Sequence, residues 1–172
     1  MAGSLEFIKN VNGSSNVSSV DVANVFSDKY DVYKIVTTIT TDSAFLEVPM
    51  RLFDSGGSQI NQAEYDNAGL ELRSGTTFGE TRVIGDTEII RPIRTGSGTA
   101  LAGNNVIYIF NPYDSSSYTF LQYQVSAFGT SDNLVGQKGM SVHKSAETIS
   151  GFKYFVSSNN ITSHNVSVYG VK

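Results

Sequence analysis

Between Phe45 and Phe53 the chain alternates strictly, with Leu46, Val48, Met50 and Leu52 apolar and Glu47, Pro49 and Arg51 between them. Side chains of an extended strand point to opposite faces with period two, so this stretch reads as a strand with one apolar face. Pro49 donates no ladder hydrogen bond, which places the strand at an edge or gives it a bulge. The stretch closes on Asp54-Ser55-Gly56-Gly57-Ser58, a turn. Once one segment presents an apolar face of this kind, the rest of the chain must supply sheets to cover it.

The same pattern recurs along the sequence. Leu5–Val11 and Ser19–Phe26 are candidate strands, the second with Val20, Val22 and Val25 inward. Tyr30–Thr40 places Tyr33, Ile35 and Ile39 on one face and is rich in β-branched residues, which suit a pleated surface. Gln59–Asn67 fits neither period and reads as a helical turn or a loop. Gly69–Arg73, Arg82–Arg91, Val106–Phe110, Tyr118–Phe128 and Lys138–Lys144 are further strands, with Leu121, Tyr123, Val125 and Ala127 sharing a face. Thr95–Asn105 reads as a long surface loop. The last 25 residues hold a closing pair: Phe152, Tyr154 and Val156 alternate in one segment, and Val166 and Val168 in the next. A terminal strand tied into a sheet stays ordered. About nine to eleven short strands with no amphipathic helix predict an all-β fold, an antiparallel β-sandwich that is jelly-roll-like, as one domain over residues 1–172. The predicted core is Leu46, Val48, Met50, Leu52, Leu121, Tyr123, Val125, Phe152, Tyr154, Val166 and Val168.

Composition narrows the function. Charged residues make up 16% of the chain, against roughly 25% in an average soluble protein, and Ser, Thr, Asn and Gly stand in their place. Net charge is −4 without a basic run, which argues against nucleic acid, since phosphate binding needs clustered Lys and Arg. No apolar run approaches the ~20 residues of a membrane span, so no membrane partner is expected. The start lacks the basic and apolar regions of a signal peptide, so the chain is expected to be made in the cytoplasm. With no cysteine there is no disulfide framework, thiolate zinc site or Cys nucleophile.

Chemistry is sparse. Gly96-Ser97-Gly98-Thr99-Ala100-Leu101 fails as a phosphate loop at its sixth position. His143 and His164 could share a metal if their strands paired; without a placed carboxylate they read as surface or interface histidines. Asp28, Asp31, Asp54, Glu64 and Asp66 sit beside turns but lack EF-hand spacing, and read as solvated turn residues. Glu47, Glu71 and Glu88 are carboxylates in or near strands, of the kind a glycosidase would need as a pair about 5–10 Å apart. The expectation is no enzyme, no cofactor and no obligatory metal. Tyr113, Tyr118 and Tyr169 fall in turns or on a polar strand face, where a tyrosine serves as an interface anchor or a sugar platform, or is partly buried under loops.

The ordered segments LEFIKNVNGSSNVSSVDVANVFSDKYDVYKIV, MRLFDSGGS, VIYIFNPYDSSSYTF, TISGFKYFVSSNNI and VSVYGVK resemble a family of small virion proteins of tailed phages of marine bacteria, cyanophages included. The resemblance runs from Leu5 to Lys172. It implies a jelly-roll sandwich displayed on the particle, without enzyme activity, as a capsid decoration (cement or knob) protein. The alternative it leaves open is a carbohydrate- or receptor-binding module of a tail fibre or spike. The implied partners are other virion proteins, the major capsid protein first, with a surface glycan under the alternative. The implied localisation is the virion. A symmetric homo-oligomer, a trimer by analogy, is expected to make its contacts through Gly69–Gly85, Thr95–Asn105 and Pro112–Ser117 as loops.

Overall fold

The structure, a computed structural model, describes residues 4–43, 46–75, 77–96, 101–128 and 134–172. Among these are twelve strands: β1 (Leu5–Gly13), β2 (Ser19–Val22), β3 (Val32–Thr41), β4 (Leu46–Asp54), β5 (Tyr65–Arg73), β6 (Gly79–Asp86), β7 (Ile89–Thr95), β8 (Gly103–Phe110), β9 (Thr119–Phe128), β10 (Leu134–His143), β11 (Ile149–Phe155) and β12 (Ile161–Val171). They form an antiparallel sandwich of unequal sheets. One has eight strands in the order β1-β12-β3-β8-β9-β10-β5-β6, the other four in the order β2-β11-β4-β7.

That order separates into two parts. β1-β12-β3-β8 facing β2-β11-β4-β7 is an eight-stranded jelly roll, because the chain crosses between sheets at β1–β2, β2–β3, β3–β4, β7–β8 and β11–β12. Two hairpins are inserted into it. β5–β6 leaves between β4 and β7, and β9–β10 leaves between β8 and β11. β10 pairs with β5, so the hairpins join edge to edge and extend the larger sheet by four strands.

The jelly-roll core follows the alternation in the sequence. Tyr33, Ile35 and Ile39 on β3, Val48, Met50 and Leu52 on β4, Phe152 and Tyr154 on β11, and Val166 and Val168 on β12 are all buried. Fully burying one such side chain contributes ~1.5–3 kcal/mol. Two of the buried tyrosines have paired hydroxyls: Tyr33 donates to the Ser27 carbonyl at 2.9 Å, and Tyr154 lies 3.3 Å from the Thr37 hydroxyl. Tyr33, Phe26, Phe152 and Tyr154 make successive ring contacts between the sheets. Lys172 closes the chain through its amide to the Ser4 carbonyl and its ammonium to Glu6, so the C-terminus is structural.

Several boundaries differ from expectation. β11 and β12 lie in different sheets, because the break at Ser157–Asn160 carries the chain across the sandwich. Ser19–Phe26 is a strand only to Val22, while Val25 and Phe26 fill the core from a loop. Arg82–Arg91 is split, since the chain bends at Thr87–Glu88 between β6 and β7, just after Gly85 at φ +68° in an irregularity of the β5–β6 ladder. Gly69–Gly85 is β5 and β6 for most of its described length, so its backbone is held in the ladder. In Thr95–Asn105 both ends are strands, and residues 97–100, within the glycine-rich phosphate-loop candidate, lie outside the described residues, as does Phe45. β4 is interior to its sheet, and Pro49 sits where its ladder to β7 loses register.

Candidate functional site: the outer face of the sheet extension

Four places collect the residues that could carry function: a buried ion cluster under the extension, a histidine–glutamate cluster at its end, the tyrosines, and the extension's outer face.

The ion cluster starts from β7. This strand is irregular: Arg91 takes a left-handed backbone at φ +56° and Pro92 follows it. Its backbone groups cannot all be paired in a ladder, and buried ones must be satisfied elsewhere. Inward side chains of the larger sheet do this. Asn67 donates to the Glu88 carbonyl at 3.0 Å and accepts from the Ile90 amide at 3.2 Å, and Asn105 donates to the Pro92 carbonyl at 2.7 Å. The Arg94 guanidinium, almost wholly buried, reaches Glu47 on β4 at 2.7 Å and Glu71 on β5 at 2.5 Å. Arg91 adds a second contact to Glu47 at 2.8 Å, and Arg73 pairs with Glu71. Burial pushes the Glu71 carboxyl up, but hydrogen bonds from Arg73 and Arg94 outweigh it and hold the pKa below the ordinary value. Glu71 therefore holds Arg94 as a carboxylate, and Glu47 contacts the same guanidinium from β4. Through Arg94 the two glutamates clamp the small sheet to the extension, while Glu88, the third candidate, pairs with Arg51 at 3.3 Å.

His143 ends β10, fully buried, with its Nε2 3.2 Å from Glu64 and 3.6 Å from Glu147 and its ring tilted against Tyr65. The three ligand atoms lie within 4.8 Å of one another, so these residues could hold a divalent cation by type and spacing. The second nitrogen argues otherwise. A ligating imidazole carries its proton on the far nitrogen and donates it to an acceptor. Nδ1 of His143 is buried with no hydrogen-bond partner. A proton on Nε2, donated to Glu64, strands no N–H, and the cluster fits that tautomer. His164 is on β12, four strand steps from β10, or roughly 19 Å at the usual spacing. The two histidines do not come together. His164 packs beside Gly13, and burial pushes its pKa below the ordinary value.

Tyr113 and Tyr118 lie in the β8–β9 loop, 42% and 46% exposed. Tyr169 is elsewhere, on the outer face of the large sheet, edge-on to Phe7 with ring centres 5.9 Å apart. Of the acidic turn residues, Asp54 accepts from the Ser58 amide and closes its turn, and Asp66 pairs with Lys144.

The outer face of the extension was missed by sequence reasoning. The register aligns its outward side chains in rows: Arg82–Ala68–Met140–Gln122–Tyr108, then Glu80–Leu70–Lys138–Gln124–Val106. Ile84, Met140 and Phe120 are 84%, 59% and 52% exposed, and Leu70, Leu72, Leu134 and Tyr108 are exposed as well. A groove of about 670 Å³ runs over Gln122 and Gln124 between Leu70 and Leu72 on one side and Val106 and Tyr108 on the other. A hollow of about 330 Å³ lies beside it, over Ala68, walled by Ile84, Phe120 and Met140. Buried inward positions are Tyr65, Asn67 and Glu71 on β5, Thr81 on β6, and Val135, Gln137, Ser141 and His143 on β10. β5 and β10 thus turn much of their polar side inward and apolar side chains out, whereas β9 buries Leu121, Tyr123, Val125 and Ala127 and turns Gln122 and Gln124 out. A signal was available: the apolar members of β5 and β10 alternate with polar residues such as Asn67, Glu71, Gln137 and Ser141. No sequence rule says which of two alternating faces goes inside.

No protein-family model matches the chain, and no curated protein matches it at a significant level.

Proposed function

We propose that this protein is a non-enzymatic structural component of a phage particle, a capsid decoration protein seated on the shell as a symmetric oligomer. The observation that carries the reading is the outer face of the extension, where large apolar side chains stand in rows in solvent. Contiguous apolar surface of this extent marks protein contact. Its breadth, over four strands, suits a protein partner better than a small substrate. The segments quoted above, which resemble phage virion proteins, supply the particle. Other virion proteins, the major capsid protein first, are the proposed partners, and the virion is the proposed localisation. The second reading is a receptor- or glycan-binding module of a tail fibre or spike, favoured by the exposed Tyr113 and Tyr118 at one hairpin tip.

The test is a reconstruction of the particle whose genome encodes the chain, with mass spectrometry of its proteins. Density for the sandwich repeating over the shell is the expected result. Absence from purified particles overturns the particle reading, and density at a fibre tip replaces decoration with receptor binding.

A further inference from the structure

We propose that the outer face of the extension is covered by the same face of a second copy, in a two-fold pair whose axis runs along β5. The inference rests on the reading of this face as a protein-contact surface, and it names the occupant.

Area is the first argument. The outward side chains of β10, β5 and β6 include Leu134, Met140, Leu70, Leu72 and Ile84, with the charged Lys138, Glu80 and Arg82 among them. They spread over three adjacent strands, the breadth needed for the ~800 Å² per partner that a specific interface buries.

Charge selects the occupant. Lys138 is the one cation of β10 in this face, flanked by Leu70 and Gln124, and no ion pair is found for it among the described residues. A cover that buried Lys138 without an anion would leave a desolvated charge. The required carboxylate is in the same row: Glu80, Leu70 and Lys138 stand side by side on β6, β5 and β10. A two-fold axis along β5 exchanges β6 and β10, so Lys138 of each copy meets Glu80 of the other. Glu80 gives up only a solvent-exposed contact with Arg82. Isologous pairing requires this reciprocity: residue i meets j, and j meets i.

Shape agrees. The hollow over Ala68 lies on that axis, and Ile84, the most exposed large apolar side chain described, stands at its rim. Across the two-fold, Ile84 of one copy leans into the hollow of the other.

The chain has no cysteine, so single thiols can be placed cleanly. Leu70→Cys puts two thiols beside the axis, and Glu80→Cys with Lys138→Cys puts one on each copy. Both variants are expected to be joined into covalent dimers by a short bis-maleimide cross-linker, since sheets packed face to face stand about 10 Å apart, beyond direct disulfide reach. Sedimentation of the native chain is expected to show a monomer–dimer equilibrium. Leu70→Glu should weaken it at least about tenfold, Lys138→Glu should weaken it, and Lys138→Glu with Glu80→Lys should restore it. Unfolding midpoints of dilute protein check that each variant is folded. A native monomer up to about 1 mM, a three-fold species, or pairing that survives Leu70→Glu overturns the proposal. A monomer that is still found on particles overturns self-pairing alone; a dimer missing from particles overturns the decoration reading alone.

Discussion

The jelly roll and its extension are built from the same alternating strands and solve opposite problems. In the jelly roll, β3, β4, β11 and β12 turn Ile35, Leu52, Phe152 and Val168 inward, where they meet the facing sheet and bury one another. In the extension, β5 and β10 turn Asn67, Glu71, Ser141 and His143 inward, while Leu70, Leu72, Leu134 and Met140 face solvent. The difference lies in what covers each inner face. The jelly-roll half of the large sheet is covered by regular strands whose backbones are already paired. The extension is crossed by β7, which packs on β8, β9 and β5 and brings Arg91, Arg94 and a distorted backbone. Those groups need acceptors and donors, and a polar face satisfies them better than an apolar one. Stability in one region thus comes mainly from apolar burial, while in the other buried ion pairs and hydrogen bonds around Arg94 and Asn67 contribute as well.

The strongest test of the contrast is a pair of leucines. Leu52→Ala in the jelly roll should cost about 2–5 kcal/mol, whereas Leu70→Ala on the outer face should stay within about 0.5 kcal/mol for the monomer. Urea denaturation of dilute protein measures both, and equal effects would remove the distinction. Next is the clamp. Glu71→Gln should cost about 3 kcal/mol, at the low end for a broken buried pair because Glu47 still neutralises Arg94. A smaller loss, about 1–3 kcal/mol, is expected from Gly139→Ala, whose Cβ would sit 2.4 Å from the inward Tyr123 ring. Combined with Tyr123→Leu, it should cost less than the sum of the single changes, because the collision is gone.

Acid should separate the regions by smaller steps. The folded pKa of His164 lies below its ordinary 6.5, since burial disfavours the imidazolium. Its contribution is full above about pH 6.5 and is lost as pH falls through the lower folded value. Glu71, held below its ordinary 4.5 by Arg73 and Arg94 against the opposing effect of burial, contributes fully above about pH 4.5 and loses that contribution below it. His164→Gln should flatten the first part of the stability–pH curve and Glu71→Gln the second. Glu88, pushed up by burial, works in the opposite direction and is present in both variants.

Much of the sandwich was legible. The period-two runs at Leu46–Leu52, Leu121–Ala127 and Phe152–Val156 give the right faces, and every member of the predicted core is buried except Leu46, which packs against it half-buried. Turns marked by Asp54–Ser58 and Pro112–Asp114 are in place. The clusters were not legible. Glu47 and Arg94 stand opposite each other on β4 and β7, Glu71 meets them from the other sheet, and Glu64 reaches His143 from a loop far away in sequence while Glu147 comes from four residues on. The three tyrosines do not form one site, because Tyr169 lies on β12 while Tyr113 and Tyr118 cap the β8–β9 hairpin.

By itself the sequence determined that this protein is a strand sandwich, since side-chain alternation is a local property of an extended backbone. Alternation makes two faces and is silent on which is inside. That was decided by the tertiary structure, when two inserted hairpins paired edge to edge and the irregular strand β7 came to lie across one side of them. On β5 the side that could satisfy the buried backbone and arginines of β7 turned in and its leucines were left outside, while neighbouring β9 kept its apolar side in.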